Sequence, residues 1–451
     1  MTYSKCINMK ILNKIIIVIF LLTSNSLVYA NDKDSFFVFK NINDLSLYID
    51  ESNYKDQIRT TLLDQPEFQY INSLSAEESF NLKYAQRNRF PVISGNIIND
   101  ESLDRNIEDL FSVRKRRDDT FDAVVEINQS IYAGGSINAG IRAARSRSQN
   151  VDTQRQQTLS SLIVEANIIY LNAARSSFIL NYAENIFNIL KPYRSKVDDR
   201  VKAGVMDPVE YALFSVRMNS FETKIYQLKS EAEKNKGTYT LFFKKDAEKL
   251  AFPLFFIQRN INFINNKSYG VELSELNFEE TKENIKNVRS EYLPKVGLKA
   301  RYTKYDIDDD GNEDDIRGGF YVSLPIFSFG RGSAKINAAK AAAQGSKSYI
   351  NISRKEDKIT ETGYLSDYNN AISNRDVYLK SYNDTLRQRK TLTDRLDVSG
   401  FVINPLAEVM LSEINQLDTL LVNESAIIDR YISILHQNQV LNSEFNISIG
   451  K

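Results

Sequence analysis

The stretch SIYAGGSINAGIRAAR (Ser130–Arg145) returns 195 positions later as PIFSFGRGSAKINAAK (Pro325–Lys340). At that constant offset Ile131 matches Ile326, Tyr132 matches Phe327, Gly135 matches Gly330, Ala139 matches Ala334, Ile141 matches Ile336, and Ala143 with Ala144 match Ala338 with Ala339. Upstream, RNRFPVISGN (Arg87–Asn96) parallels RSEYLPKVGL (Arg289–Leu298), placing Pro91 against Pro294. Downstream, AGVMDPVEYA (Ala203–Ala212) parallels SGFVINPLAEVM (Ser399–Met410), placing Gly204 near Gly400 and Pro208 against Pro405. Three landmarks in one order mean a tandem duplication, so any fold proposed for one half must serve the other. Halves of roughly 200 residues are too long for solenoid repeats of about 20–50 residues.

Each half begins with strands. Val125, Ile127 and Ile131 alternate with Glu126, Asn128 and Ser130. In the second half Val296, Leu298, Ala300 and Tyr302 alternate with Gly297, Lys299, Arg301 and Thr303, and Phe320, Val322, Leu324 and Ile326 alternate with Tyr321, Ser323 and Pro325. Period two gives each strand one apolar and one polar face. The spacing predicts hairpins with strands at about 91–99 and 120–132, then 294–304 and 317–328.

The period then changes. Leu162, Ala166, Ile169, Ala173, Ser176, Leu180, Ala183, Phe187 and Leu190 step by four and three residues, as in a coiled-coil seam. Long helices are predicted over 136–201 and 333–398, the first about 90–100 Å long and kinked or locally opened at Pro192. Gly204 and Asp207-Pro208 mark a stop and a new start, so returning helices follow over 205–245 and 404–445, the latter through Leu417, Leu421, Ile428, Tyr431 and Leu435. The predicted organisation is therefore a first repeat over 31–245, an irregular linker packed beside the helices over 246–270, a second repeat over 271–445 and a tail over 446–451.

Composition narrows the function. Residues 1–30 combine Lys5, Lys10 and Lys14 with an apolar run from Ile15 to Leu22 and a small-residue site at Val28 and Ala30, the pattern of a secretory signal cut after Ala30, with Met9 an alternative start. An eight-residue run falls short of the roughly 20 apolar residues that span a bilayer. Without those residues 55 basic and 58 acidic side chains remain, a balance that points away from nucleic acid. Cys6 is the sole cysteine, so the mature chain has no disulfide, thiol nucleophile or lipidated amino-terminal cysteine. A Cys/His zinc site is excluded, and a Ser-His triad would have to use His436, which sits in the helical pattern YISILHQNQVL and reads as structural. No catalytic, cofactor or metal site is expected, and the chain is not expected to be an enzyme.

The acidic stretch DIDDDGNEDD (Asp306–Asp315) imitates the start of an EF-hand loop. Counting Asp306 as position 1, Arg317 takes position 12, where a bidentate glutamate is required, and the flanks read as strands. It is expected to be a hairpin tip turned at Gly311 and Asn312, with weak calcium association left open.

Four strands cannot close a spanning barrel, which needs about eight. They can pack as an ordinary sheet or pool with identical chains, and the long amphipathic helices favour pooling. The proline-led first strands (Pro91, Pro294), the second strands running into an aromatic, a glycine and an alanine-rich helix (Tyr132–Ala144, Phe327–Ala339) and the glycine-marked turns (Gly204, Gly400) resemble the TolC-type outer-membrane efflux protein family from about Asp64, where DQPEF is similar to the family's short helical lead-in. The resemblance implies a mainly α fold with β-hairpins, in which tandem-duplicated chains supply long coiled-coil helices to a periplasmic α-barrel and four strands each to a trimeric, 12-stranded transmembrane β-barrel. It implies a homotrimer in outer-membrane lipid, a periplasmic adaptor, an inner-membrane RND or ABC transporter, and passive export by efflux or type I secretion.

Under that resemblance Gly135 and Gly330 are strand-to-helix junctions. Gly204, Val205, Met206, Asp207 and Pro208, with Gly400, Phe401, Val402, Asn404 and Pro405, meet the adaptor. Glu210 falls where the family's first tip is acidic. The second tip has one extra residue and Pro405, so Glu408 shares the role of entrance acid with Asp394, Asp397, Asp198 and Asp199 as alternatives, each also readable as a solvated helix-end charge. The competing classes are an exported coiled-coil structural or adhesive protein and a secreted hydrolase with paired carboxylates.

Overall fold

The computed structural model describes residues 49–101, 119–247, 250–257, 261, 267–308, 313–396 and 402–447. The leader, the tip residues Gly400 and Phe401, the acid Asp397, and Gly311 and Asn312 lie outside the described residues. Two helices, α1 (Glu51–Leu62) and α2 (Pro66–Arg87), precede β1 (Val92–Glu101), β2 (Asp119–Ala133), α3 (Ser136–Lys202) and α4 (Pro208–Phe243). After a 3-10 turn at Leu254–Phe256 the order recurs as α5 (Tyr269–Ser290), β3 (Lys295–Lys304), β4 (Asp314–Ser323), α6 (Arg331–Leu396) and α7 (Ile403–Gln437), with α8 (Leu441–Glu444) last.

The duplication extends to the backbone. Gly134 and Gly135 have φ of +62° and +89°, and at the same offset Phe329 and Gly330 have +48° and +81°. Two consecutive left-handed residues precede each long helix, and the first helical bonds, Ala139 N–H to Gly135 O and Ala334 N–H to Gly330 O, are both 3.1 Å. Phe329 adopts a conformation that disfavours bulky side chains, where the first repeat uses glycine.

Several expectations are corrected. The lead-in near Asp64 is a helix of 22 residues, and α5, absent from the sequence reading, is equally long. The α5 segment is amphipathic and buries a stripe that includes Val271, Ser274 and Val288. Helix α3 continues through Pro192 without a break, since proline removes one intrahelical donor while neighbouring turns keep theirs. Strand β4 stops at Ser323 instead of about 328, because β3 ends opposite it at Lys295 and Pro325 has no N–H to extend a ladder. The last helix ends at Gln437 and not near 445. There Val440 N–H reaches Leu435 O and Gln439 N–H reaches His436 O, a Schellman turn in which Gln439, at φ +57°, takes the place usually held by glycine.

The chain condenses into two units, neither of which follows a single repeat. One draws on Met1–Gln65, Ser160–Asn265 and Thr360–Lys451, the other on Pro66–Leu159 and Asn266–Ile359. The core of the first contains a ring cluster in which Tyr54 meets Tyr170 edge-on at 5.0 Å and Phe256 at 5.8 Å, while Tyr239 stacks on Phe243 at 4.4 Å. Tyr54 donates to Asn167 Oδ1 at 2.7 Å, which satisfies a fully buried hydroxyl. Phe256 places the inter-repeat segment against Tyr431 and Phe445. Along α3 the predicted seam is buried at Leu162, Ala166, Ala173, Ser176, Ala183 and Leu190 but half-exposed at Ile169, Leu180 and Phe187. A second line at Ile163, Tyr170, Ile179 and Ile186 is buried beside it, so the apolar stripe is wider than a two-helix seam.

In the other unit, polar ties join the helices. Ser75 donates to Asp152 at 2.8 Å, Arg142 pairs with Glu283 at 2.9 Å, and Arg354 reaches Glu275 at 2.8 Å. Its sheet has the order β1-β2-β3-β4, antiparallel throughout, with β2 and β3 joining the hairpins of the two repeats and a bulge between Ser130 and Tyr132. Among the described residues, no helix is long and apolar enough to cross a membrane.

Candidate functional site

The sheet has two chemically distinct faces. Cross-strand register places Ser94, Glu126, Arg301 and Arg317 in one row, and Val92, Asn128, Lys299 and Gly319 in the next. Alternation puts Ile93, Ile97, Val125, Ile127, Leu298, Tyr302, Ile316 and Phe320 on the opposite face, which carries no packing layer among the described residues: Ile316 is 77 % and Phe320 78 % exposed. Beyond β4, Ile326, Phe327 and Phe329 continue the apolar exposure. A monomer in water would not leave so contiguous an apolar surface open, so this face requires an apolar environment or other chains.

On the polar face Glu126 pairs with Lys299 and lies 3.8 Å from Arg301, while Arg317 pairs with Asp315. Gly297 leaves room for the ring of Tyr321, which folds across it from β4: a Cβ there would lie 2.6 Å from that ring and force it to move. The outer edges of β1 and β4 have no partner strand among the described residues. The acidic stretch joins β3 to β4. Tyr305 N–H bonds Glu313 O at 3.0 Å, and Ile307 N–H bonds Phe121 O at 2.8 Å, which fastens the start of the loop to β2.

The junction glycines differ in how much space they have. A Cβ on Gly134 would sit 2.6 Å from the carbonyl oxygen of Ser290, whereas Gly135 and Gly330 face open space and are needed for their φ alone. Gly134 is thus the most constrained junction residue, and the doubled glycine is the one sequence signal that pointed to it.

The first helix tip is built by local chemistry. Val205 N–H bonds Arg200 O and Gly204 N–H bonds Val201 O, both at 3.0 Å, a Schellman stop with Gly204 at φ +69°. Asp207 then caps α4, accepting from Val209 N–H at 2.7 Å, with Pro208 at the first helical position. Val205 and Val209 are exposed, and Met206 is half-buried.

At the second tip Val402 precedes α7 without a side-chain cap, Pro405 lies in the first turn, and Ile403, Leu406 and Ala407 are buried. The two tips touch: Asn404 Nδ2 donates to Glu210 O at 3.0 Å, and Arg217 pairs with Glu408 at 2.5 Å. Of the candidate acids, Glu408 is thus held by Arg217. Asp198 accepts from Tyr211, whose hydroxyl pKa rises through that bond, while Asp199 and Asp394 are exposed.

Sequence reasoning missed a buried polar staple in the same unit. Glu413 on α7, fully buried, pairs with Arg389 of α6 at 3.0 Å and accepts from Tyr182 of α3, whose oxygen lies 2.9 Å from that of Tyr382. Three turns on, Glu424 accepts from Arg375 Nε at 2.7 Å. Burial raises the pKa of both carboxyls, against the opposing pull of their arginines. The signal was present: Glu413 and Glu424 fall at seam spacing with Leu417, Leu420 and Ile427. What the staple does is hold α6 to α7 and α3 in one register.

No protein-family model matches this chain, and no curated protein matches it in sequence. Solved structures do. The Campylobacter jejuni CmeC outer membrane channel superposes with a TM-score of 0.69 at 13 % identity, over 88 % of this chain and 87 % of that one. The Vibrio cholerae outer membrane protein VceC gives 0.65 at 12 %, over 86 % and 95 %. The open state of the Neisseria gonorrhoeae MtrE outer membrane channel gives 0.63 at 13 %, over 86 % and 89 %. Between 86 % and 95 % of each chain is aligned in these comparisons, so this chain has the fold of the TolC-type outer-membrane channels.

Proposed function

We propose that this chain is the outer-membrane exit duct of a tripartite efflux or type I secretion system, a passive conduit for substrates delivered by an inner-membrane RND or ABC transporter and a periplasmic adaptor. The observation that carries the reading is the sheet: one exposed apolar face, one charged face, and two open edges. Because β1 and β4 run in opposite directions, β4 of one copy can continue antiparallel into β1 of the next. Three copies close twelve strands and remove every edge. Strands of ten residues, at about 3.3 Å per residue and a tilt near 40°, cover about 25 Å of bilayer, the height of the apolar band in such barrels.

In this assembly the apolar face meets lipid and the charged face meets water in the lumen. The acidic β3–β4 loop faces the exterior. The tips at Gly204–Pro208 and at Gly400, Phe401, Val402, Asn404 and Pro405 receive the adaptor, and Glu210 lies at the entrance. The coiled-coil structural alternative offers no reason for a two-faced sheet with open edges. Purified full-length mature protein in planar bilayers tests the reading: ion-conducting, heat-resistant trimers are expected, and failure to conduct in any oligomer overturns it. Cysteines at Met206 and Val402 would then trap the adaptor by crosslinking.

A further inference from the structure

Resting on the channel reading, we infer that the middle of the sheet's polar face forms a cationic belt that favours anionic over cationic solutes. The cross-repeat register brings Lys299 and Arg301 of β3 to one acid, Glu126 of β2. Arg317 of β4 stands in the same row and pairs with Asp315. Three cations meet two acids, so each chain leaves one net positive charge in this zone.

Closing the sheet into a barrel of three copies repeats that charge three times around one short stretch of lumen. There the low-dielectric wall focuses the field. Lys299 and Arg301 are two residues apart on β3, or about 7 Å, which is within a Debye length at physiological salt, so they act on the same passing ion. The remaining charges on this face lie to either side. Lys295 is toward the helix junction, while Asp122 and Asp100 are toward the hairpin tips, where Asp306, Asp308 and Glu313 add to an acidic rim. The basic belt is therefore distinct from the rim. The arginines and lysine are half to mostly exposed on the water side, while Glu126 is largely covered by its two partners.

The test is the chloride-to-potassium permeability ratio, read from reversal potentials of reconstituted channels under a salt gradient. A Lys299→Gln/Arg301→Gln variant is expected to shift the ratio toward potassium by at least about threefold, from the Coulomb interaction of one charge at about 7 Å in a water-like dielectric. Glu126→Gln, which adds to the net positive charge, is expected to shift it toward chloride, and decides the matter should the double variant fail to form heat-resistant trimers. Ratios that do not move in conducting variants overturn the belt and leave the channel standing. A wild-type protein that does not conduct at all removes the channel reading, and the belt with it.

Discussion

Arg375→Met isolates the contribution of one buried charge. Glu424 is 97 % withdrawn from solvent, with a side-chain exposure of 3 %, and Arg375 Nε at 2.7 Å is the cation that offsets its desolvation, while neighbouring Asp376 opposes ionisation. Methionine keeps the length and apolar bulk of arginine but strands the carboxylate, a change that costs about 3–5 kcal/mol at neutral pH. Burial already holds the folded-state pKa of Glu424 above its unfolded value, so this group lowers stability as pH rises from the ordinary carboxylate range through the folded value. Removing Arg375 raises that pKa further and steepens the dependence. At about 1.4 kcal/mol per pH unit, acidification from about pH 7.5 to about pH 5.5 should recover up to ~3 kcal/mol of the variant's deficit relative to wild type. Unfolding followed by helical circular dichroism in detergent at several pH values measures it. A deficit that is independent of pH would refute the argument, as would an Arg375→Met/Glu424→Met double variant no more stable than the single one, since replacing both partners removes the stranded charge.

Two backbone predictions follow from space. Gly297→Ala should lose about 1–3 kcal/mol and much of the folded yield, because the new Cβ overlaps the Tyr321 ring, and combining it with Tyr321→Ser should restore most of the loss; equal loss in both backgrounds would show that the ring is not the obstacle. Gly134→Ala should be more damaging than Gly135→Ala in thermal unfolding, since both force a left-handed alanine but only the first drives a Cβ into the Ser290 carbonyl.

Much of the fold is legible one segment at a time. Alternation over Val296–Thr303 assigns β3 and both its faces, and Asp207-Pro208 marks the cap and first residue of α4, three residues inside the expected start at 205, because these signals depend on neighbours along the chain. Where the signal residue is missing the pattern overruns the element: the periodicity over 404–445 passes the end of α7 at Gln437 because Gln439 fills a turn usually marked by glycine. The candidate tips were legible as turns, yet the bond from Asn404 to Glu210 and the pair Arg217–Glu408 join residues nearly 200 positions apart.

The sequence by itself determined the duplication, the order of strand, strand and long helix in each half, and which side chains share a strand face, since all of these rest on local dihedral repeats and their periods. Tertiary structure alone decided that β2 pairs with β3 across the two repeats, that Glu126 answers both Lys299 and Arg301, and that Arg375 and Arg389 pair with Glu424 and Glu413. Partnerships of that kind are chosen by packing and by the need to satisfy buried charge, and neither is encoded in the spacing of any single segment.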